Sequence, residues 1–288
     1  MKNAEAHRLS EMFYKHFPIG KVSSGDIYSG LPTFGLLPQE RASGIIITPA
    51  CDLAQSKTPT ATYLPIVSIG EYLCTRDCRR RLINSLKGQL QRPGGKGLPS
   101  RDDELIEAAA TALGSLDKNN GLRPRLDGFQ RYIRAVSQGD TEEAGQAFLD
   151  ALPSKDAKAT LDSAITNGSL NTDTHFLPTP SSELKAFEKP SVALFRYPIT
   201  VPYECLALAE DIDGNDGEQP REWSELVDGL AEPLAGALTT PPLRCQRLRS
   251  DFMADLATRF ASLYVRIGSP DLDGSSVEQL RAHIGNSP

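Results

Sequence analysis

Cysteine is scarce in this sequence: its 288 residues include five cysteines, at positions 51, 74, 78, 205 and 245. An odd number of scattered thiols does not provide the dense, paired disulfide framework of a small secreted domain. We therefore expect a reduced, cytoplasmic protein whose thiols are mostly buried. Cys74 and Cys78 are spaced like half of a zinc site on a helix, but the second matched pair that structural zinc requires is missing. The sequence accordingly predicts no metal and no cofactor.

Long apolar runs are also missing. None approaches the roughly 20 residues that a membrane-spanning helix needs. Residues 1–17 lack the apolar centre of a signal peptide. The net charge of -6 argues against a protein that coats nucleic acid along its whole surface, because such proteins are strongly basic. These absences predict no membrane partner, and they restrict nucleic-acid contact to a local basic patch.

A complete catalytic signature is the third absence. The stretch Gly94–Gly97 contains a lysine, but it has neither the spacing nor the following Ser or Thr of a phosphate-binding P-loop. The sequence has four histidines, and none of them lies near a cysteine along the chain. Any pair of nucleophile and base must therefore be assembled by the fold.

The strongest structural signal that is present is the stretch Gly44–Gln55. Three consecutive isoleucines follow Gly44, the run stops at Pro49, and the pair Cys51-Asp52 comes next. A short run of β-branched residues between Gly and Pro is typical of a buried strand. We predict a strand whose carboxyl end presents a thiol and a carboxylate at a turn.

Five other segments have a strand-like pattern: 25–30, 61–68, 174–178, 191–197 and 199–202. Pro65 suggests that the second of these is an edge strand or contains a bulge. Because the N-terminal strands are short and are joined by turn-rich loops, they predict a small, mainly antiparallel sheet or barrel, which the later strands join.

Helical periodicity dominates the remaining sequence. Residues 71–170 predict an insertion of four or five helices, and a strong final helix is predicted over 245–267, followed by a short one ending near residue 284. We therefore expect an α+β fold in which the last long helix packs on the sheet. Its predicted parts are N-terminal strands of the β core (1–70), a helical insertion (71–170), and returning strands with C-terminal helices (171–288).

Cys51, Asp52 and His175 are the candidate catalytic residues. The carboxylate is a possible base or metal ligand, and the thiol is a nucleophile if its pKa is lowered. His175, at the start of a later predicted strand, is the best partner for a Cys/His pair. The structural alternative is a small buried cysteine, an Asp that caps its own turn, and a hydrogen-bonded strand histidine. Arg266, which ends the final helix and shares a face with Arg259, is a hypothetical partner of Asp52 across the core.

A basic segment spans residues 76–101, and Asp77 is the one acidic residue within it. Its candidate phosphate contacts are Arg79, Arg80, Arg81, Lys87, Arg92 and Lys96, beside Arg76 and Arg101. Clustered Lys and Arg side chains contact the phosphates of a nucleic acid or a nucleotide. The alternatives are a solvated helix face, or a surface that pairs with the acidic region Glu210–Asp228 of the same chain.

Three segments, in this order, resemble the opening of PemK/MazF-like barrels: Gly25–Tyr28, Gly44–Ile47 and Tyr63–Val67. Those barrels begin with a Gly-Asp-Ile/Val strand, continue with a hydrophobic strand and reach a strand that ends in Pro-Ile. The resemblance covers residues 1–70 and implies a toxin-like ribonuclease barrel. Cys51–Leu53 departs from the pattern, and no arginine follows the first strand where the toxin ribonucleases usually carry one.

Ile47–Gln55, His175–Pro178 and Arg266–Gly268 also resemble a poorly characterised group of bacterial proteins. That group is encoded beside ATPase or receiver-like partners in conflict and phage-defence settings, so the resemblance implies a context and not a mechanism.

We therefore expect a non-catalytic binding or adaptor subunit of a bacterial multi-protein system, with a protein partner and with separate acidic and basic surfaces. One alternative is a nuclease or other nucleic-acid-acting enzyme that uses Asp52 and the basic residues. Another is a hydrolase that uses Cys51 and His175.

Overall fold

A computed structural model gives the fold of the chain. It describes residues 2–16, 20–55, 57–90, 102–115, 121–165, 167, 173–210 and 221–264. Arg92, Lys96 and Arg266, and the short helix predicted near residue 284, lie outside these ranges.

The centre of the fold is an antiparallel sheet with eight described strands. These are β1 (Tyr14–His16), β2 (Asp26–Pro32), β3 (Arg41–Ile46), β4 (Thr60–Ser68), β5 (Thr174–Leu177), β6 (Ser191–Leu194), β7 (Ile199–Pro202) and β8 (Leu243–Leu248). Their order across the sheet is β1-β8-β2-β3-β4-β6-β5, and β7 pairs with the first half of β4. The isoleucine-rich strand β3 therefore lies between β2 and β4 near the middle of the sheet.

The sheet curls into a half-barrel around an apolar inner core. Side chains from seven strands meet there, including Ile27, Ile45 and Leu64, which are fully buried. Two helices cover the open side: α1 (Lys2–Phe13) and α12 (Ser250–Tyr264). Leu256 of α12 is fully buried against this core, and complete burial of such a side chain contributes roughly 1.5–3 kcal/mol.

The outer face of the sheet is covered by two groups of helices. One group consists of α3 (Ile69–Leu73), α4 (Arg76–Leu90), α5 (Asp102–Ser115), α6 (Arg123–Gln138), α7 (Thr141–Ala151) and α8 (Ser154–Ile165). The apolar core of this group reaches the sheet at Val67, Val192 and Leu194. The other group consists of α2 (Ala50–Ala54), α9 (Tyr203–Ala207), α10 (Arg221–Asp228) and α11 (Glu232–Ala237), and it covers the β7 end of the sheet.

Local sequence signals explain where several helices begin and end. Ser68 and Glu71 form a reciprocal capping box at the start of α3, where the last residue of β4 becomes the helix cap. Gly139 ends α6 in the left-handed conformation at φ 72°, which glycine adopts without steric cost. Asp140 then accepts a hydrogen bond from the backbone of Glu143 and caps α7.

The predicted α+β fold is confirmed: an antiparallel, curled sheet, helices between its strands, and a C-terminal helix packed on it. The predicted start of the final helix is wrong, because residues 243–248 form β8 and the helix begins at Ser250. Pro65 lies in an inner strand and not at an edge. Pro65 is paired with Gly44 of β3, and on the other side of β4 it lies where the pairing changes from β7 to β6, so its missing N–H group can be accommodated on that side.

Candidate functional site

A cleft of about 900 Å³ opens beside α4. Its walls are the loop 35–38 between β2 and β3, the start and the outer face of α4, Val136 near the end of α6, and Tyr197 after β6. This volume lies in the range of pockets that bind small molecules, roughly 300–1,000 Å³.

Four cationic side chains line this cleft: Arg76, Arg79, Arg80 and Lys87. They recur at spacings of three, four and seven residues along α4, so they occupy one side of the helix. The opposite side carries Cys78, Leu82 and Leu86, which are fully buried in the core of the helical group. Burial of that apolar stripe directs the basic stripe into the cleft.

Part of the positive charge of the cleft has no described salt-bridge partner. None of the described residues that line it is acidic. Arg76, Arg80 and Lys87 form no salt bridge with any described residue. The cleft therefore offers cations to a ligand without a competing carboxylate on its described walls.

The wall opposite α4 is apolar. It consists of Leu36, Leu37 and Pro38 from the loop, and Ile83 and Val136 extend the apolar surface on the helical side. Leu36 is 51% exposed, although it belongs to a residue type that folding usually buries. The cleft thus combines a cationic side with an apolar side.

The neutral polar groups in the cleft stay protonated at neutral pH. Burial, followed by the charge of Asp77, raises the pKa of Tyr197 to about 12, and the Tyr197 hydroxyl donates to Asp77 Oδ2 at 3.3 Å. Burial, followed by the charge of Glu71, raises the pKa of the Cys74 thiol to about 11. A protonated thiol is a poor nucleophile, so Cys74 is not an activated nucleophile in this cleft.

Three of the six predicted phosphate contacts line the cleft: Arg79, Arg80 and Lys87. Arg81 does not, because it belongs to a separate ion-pair cluster. Its Nη2 lies 3.3 Å from Asp173 Oδ2, and Arg196 Nε lies 2.9 Å from the same oxygen. Arg92 and Lys96 lie outside the described residues, as does most of the acidic region 210–228.

The turn predicted after β3 is a short helix, α2, which begins after Pro49. The N–H groups of Asp52 and Leu53 both donate to the Pro49 carbonyl, at 3.0 and 3.2 Å, and Leu53 is buried against the outer face of the sheet. Burial of Leu53 favours the helix over an open turn. Cys51 is exposed, with its Sγ 3.5 Å from Asp52 Oδ1, whereas the other four thiols are buried as expected.

His175 lies in β5, on the opposite face of the sheet from α2. Its neighbour on the same face, Leu177, belongs to the inner core, whereas Leu53 of α2 belongs to the outer core. His175 Nε2 lies 3.1 Å from Asp255 Oδ2 on α12, and two strands separate β5 from β3. The structure therefore does not bring Cys51 and His175 together.

Asp52 is also remote from the basic cleft. The loop 35–38 precedes β3 and α2 follows it, so the six residues of β3 separate them. At roughly 3.3 Å per residue, a strand of this length spans about 20 Å. Arg266, the hypothetical partner of Asp52, lies outside the described residues, and Arg259 on the same helix bonds to Asp255 through its Nε at 2.7 Å.

Sequence reasoning omitted several residues of the cleft. Asn84 lines it one helical turn after Arg80, and the helical spacing alone identifies it. Leu36, Val136 and Tyr197 come from distant parts of the chain, so only the fold reveals their place in the cleft.

The described part of the chain holds neither a cluster of metal ligands nor a helix fit to cross a membrane. No group of three His, Cys, Asp or Glu side chains within it has the geometry to hold a metal ion. Of the helices that the structure describes, none has both the length and the apolar character that a membrane crossing requires.

The chain was compared with protein-family models, with curated proteins and with solved structures. None of the three comparisons finds a match to this chain.

Proposed function

We propose that the protein is a non-catalytic binding subunit of a bacterial multi-protein system, and that its basic cleft holds a phosphate-bearing ligand. The observation that carries this proposal is the row of four cations along one side of α4, which faces a cleft without a described acidic residue. Like charges one turn apart on a helix destabilise it by about 0.2–0.5 kcal/mol per pair. A bound anion removes that repulsion.

Phosphate is the anion that suits these side chains best. A guanidinium group donates two parallel hydrogen bonds to a phosphate, and such charge-assisted bonds are roughly twice as strong as neutral ones. Three arginines and one lysine line the cleft, so a ligand with two or more phosphate groups matches its charge better than a single carboxylate does.

The setting of the proposal comes from the sequence resemblance. The bacterial group that the sequence resembles is encoded beside ATPase or receiver-like partners in phage-defence settings, and a ligand-binding adaptor fits such a setting. Each of the two enzymatic alternatives requires close contact between residues, and the fold holds those residues apart. Cys51 and His175 lie on opposite faces of the sheet, and Asp52 and the cleft lie at opposite ends of β3.

The test is a calorimetric titration of the purified protein with pyrophosphate and with a single-stranded RNA 12-mer. We expect at least one of these probes to bind, and we expect Arg76→Ala/Arg80→Ala to weaken its binding at least tenfold, because each charge-assisted hydrogen bond contributes about 1.5–3 kcal/mol. The matched control removes two exposed cations of α8, Lys155→Ala/Lys158→Ala, and leaves the affinity within about twofold.

Three results would contradict the proposal. The first is that neither probe binds, and the second is an equal loss of affinity in both double variants. The third is cleavage of the RNA that disappears in Asp52→Ala, which would establish the nuclease alternative in its place.

A further inference from the structure

The cleft has two chemically different sides, and this division indicates the kind of ligand. On one side are the cations of α4, and on the other are Leu36 and Pro38 of the loop, joined by Val136. A ligand that carries phosphate alone uses only the first side. A ligand that joins phosphate groups to a flat apolar ring uses both.

Backbone hydrogen bonds and two left-handed residues fix the shape of the apolar side. Phe34 and Gly35 adopt left-handed conformations, at φ 50° and 72°, which is a strained position for Phe34. The backbone of Thr33 holds the loop: its N–H donates to the Glu40 carbonyl at 2.9 Å, and its carbonyl accepts from the Leu36 N–H at 3.0 Å. The loop therefore presents Leu36 to solvent through a fixed backbone, and not through disorder.

Several arginines outside the cleft are already paired. Next to it, Arg81 and Arg196 share the carboxylate of Asp173. On α6, Arg131 is paired with Glu143 and Asp150 at 2.9 and 3.0 Å. A nucleic-acid strand needs cations that follow its backbone over several nucleotides. These paired arginines do not offer such a path among the described residues.

Asn84 adds a group that suits a nucleobase. It lines the cleft one turn beyond Arg80 and one residue after Ile83, between the cationic and the apolar side chains. A side-chain amide both donates and accepts hydrogen bonds, which matches the mixed donors and acceptors on the edge of a base.

From these four features we infer that the ligand of the cleft is a single nucleotide, with its phosphates on the α4 cations and its base against Leu36 and Pro38. This inference rests on the proposed function, and it specifies the ligand class. Asn84 is then the residue that discriminates between bases.

The test compares ATP with pyrophosphate as calorimetric probes of the whole chain. We expect ATP to bind about tenfold more tightly than pyrophosphate, because the base adds buried apolar surface. Leu36→Ser is expected to remove most of that advantage while it changes the affinity for pyrophosphate less than about twofold. Arg80→Ala is expected to weaken both probes. The control is Leu243→Ser, which changes a similarly exposed leucine of β8 and is expected to alter neither affinity.

The outcomes separate the two proposals. If pyrophosphate and ATP bind equally, or if Leu36→Ser weakens both alike, phosphate binding stands and the nucleotide assignment is overturned. If a single-stranded RNA 12-mer binds more tightly than ATP, the ligand is a polymer and the assignment is overturned as well. If neither probe binds at millimolar concentration, the proposed function itself fails.

Discussion

Asp26 illustrates how a buried charge is stabilised in this protein. The side chain is fully buried in β2, Arg247 Nη2 lies 3.0 Å from its Oδ2, and Arg244 Nη1 lies 3.3 Å from the same oxygen. The backbone N–H of Ser23 also donates to this carboxylate, at 2.7 Å. Both arginines belong to β8, so one residue of β2 holds a strand that follows more than 200 positions later.

We expect Asp26→Ala to destabilise the protein by about 3–5 kcal/mol, because it leaves two partly buried arginines and a backbone donor without their acceptor. Urea unfolding at neutral pH measures the loss. The control is Glu183→Ala, an exposed carboxylate, which should stay within about 0.5 kcal/mol of the wild type. Equal stability of the two variants would show that the Asp26 cluster does not hold β8 in the sheet.

His175 gives the stability of the protein a defined dependence on pH. Burial lowers its pKa from 6.5 to about 4, even though the charge of Asp255 opposes the shift. Between these two values the unfolded state binds a proton that the folded state excludes, so stability rises with pH from 4 to 6.5. The stability that the neutral His175 contributes is fully present above pH 6.5 and is lost as the pH falls toward 4.

We expect the stability that the neutral His175 contributes to fall by roughly 2–3 kcal/mol between pH 7 and pH 4.5. His175→Gln keeps a donor for Asp255 but does not titrate, so its stability should decrease by correspondingly less over the same range. Urea unfolding of both proteins at the two pH values measures this difference. An identical pH dependence in wild type and variant would be inconsistent with a neutral, buried His175.

At the scale of elements, most strands and helices are predictable from periodicity, and β8 is the instructive exception. Cys245 and Leu248 fit the apolar spacing of the helix that follows, and Arg244, Gln246 and Arg247 do not look like strand residues. Asp26 neutralises both arginines, and Gln246 is buried with hydrogen bonds to the segment 182–186. These partners are remote in sequence, so the local pattern alone predicts that residues 245–248 belong to the helix.

The packing of α6 on α7 requires a glycine. A β-carbon on Gly128 would lie 2.8 Å from the backbone nitrogen of Ala151, and backbone cannot yield as a flexible side chain can. Gly114 on α5 has open space at the same position. Two helical glycines therefore have opposite expected responses to the same substitution.

We expect Gly128→Ala to destabilise the protein by about 1–3 kcal/mol through overpacking. Gly114→Ala should instead stabilise it by up to about 1 kcal/mol, because alanine has the higher helix propensity. Thermal unfolding followed by circular dichroism compares the two. A stabilising Gly128→Ala would mean that α6 and α7 are further apart than the structure places them.

At the scale of the whole molecule, a buried hydrogen bond links the two ends of the curled sheet. The Tyr14 hydroxyl of β1 donates to the Pro178 carbonyl just after β5 at 2.7 Å, although β1 and β5 are the outermost strands of the sheet. The side chain of Tyr14 is almost completely buried. This bond helps to close the half-barrel that α12 covers.

We expect Tyr14→Phe to reduce stability by about 1–3 kcal/mol, because the Pro178 carbonyl becomes a buried acceptor without a donor. Tyr264→Phe is the matched control: its hydroxyl donates to the Phe195 carbonyl at 2.8 Å, but the residue is 46% exposed and water can replace the lost donor. Equal effects of the two substitutions in urea unfolding would contradict a special role for the link between the sheet ends.

The candidate site was only partly predictable, for a reason that belongs to the whole molecule. The helical spacing of Arg76, Arg80 and Lys87 marks a basic stripe in the sequence. The wall that turns this stripe into a cleft comes from the loop 35–38, from Val136 and from Tyr197, which only the tertiary fold brings together. The pair Cys51-Asp52 follows a buried strand, a position that predicts a site from the sequence. It lies at the end of β3 that is remote from the cleft.

Amide hydrogen exchange with and without saturating ATP is the measurement that tests the central claim most directly, because it locates a bound ligand along the chain. If the basic cleft is the site, exchange slows in residues 33–38 and 74–87 and stays unchanged in α2. Slowing around residues 50–54 with none in α4 would move the site to Cys51-Asp52 and contradict the claim. No slowing anywhere in the described chain would contradict it equally.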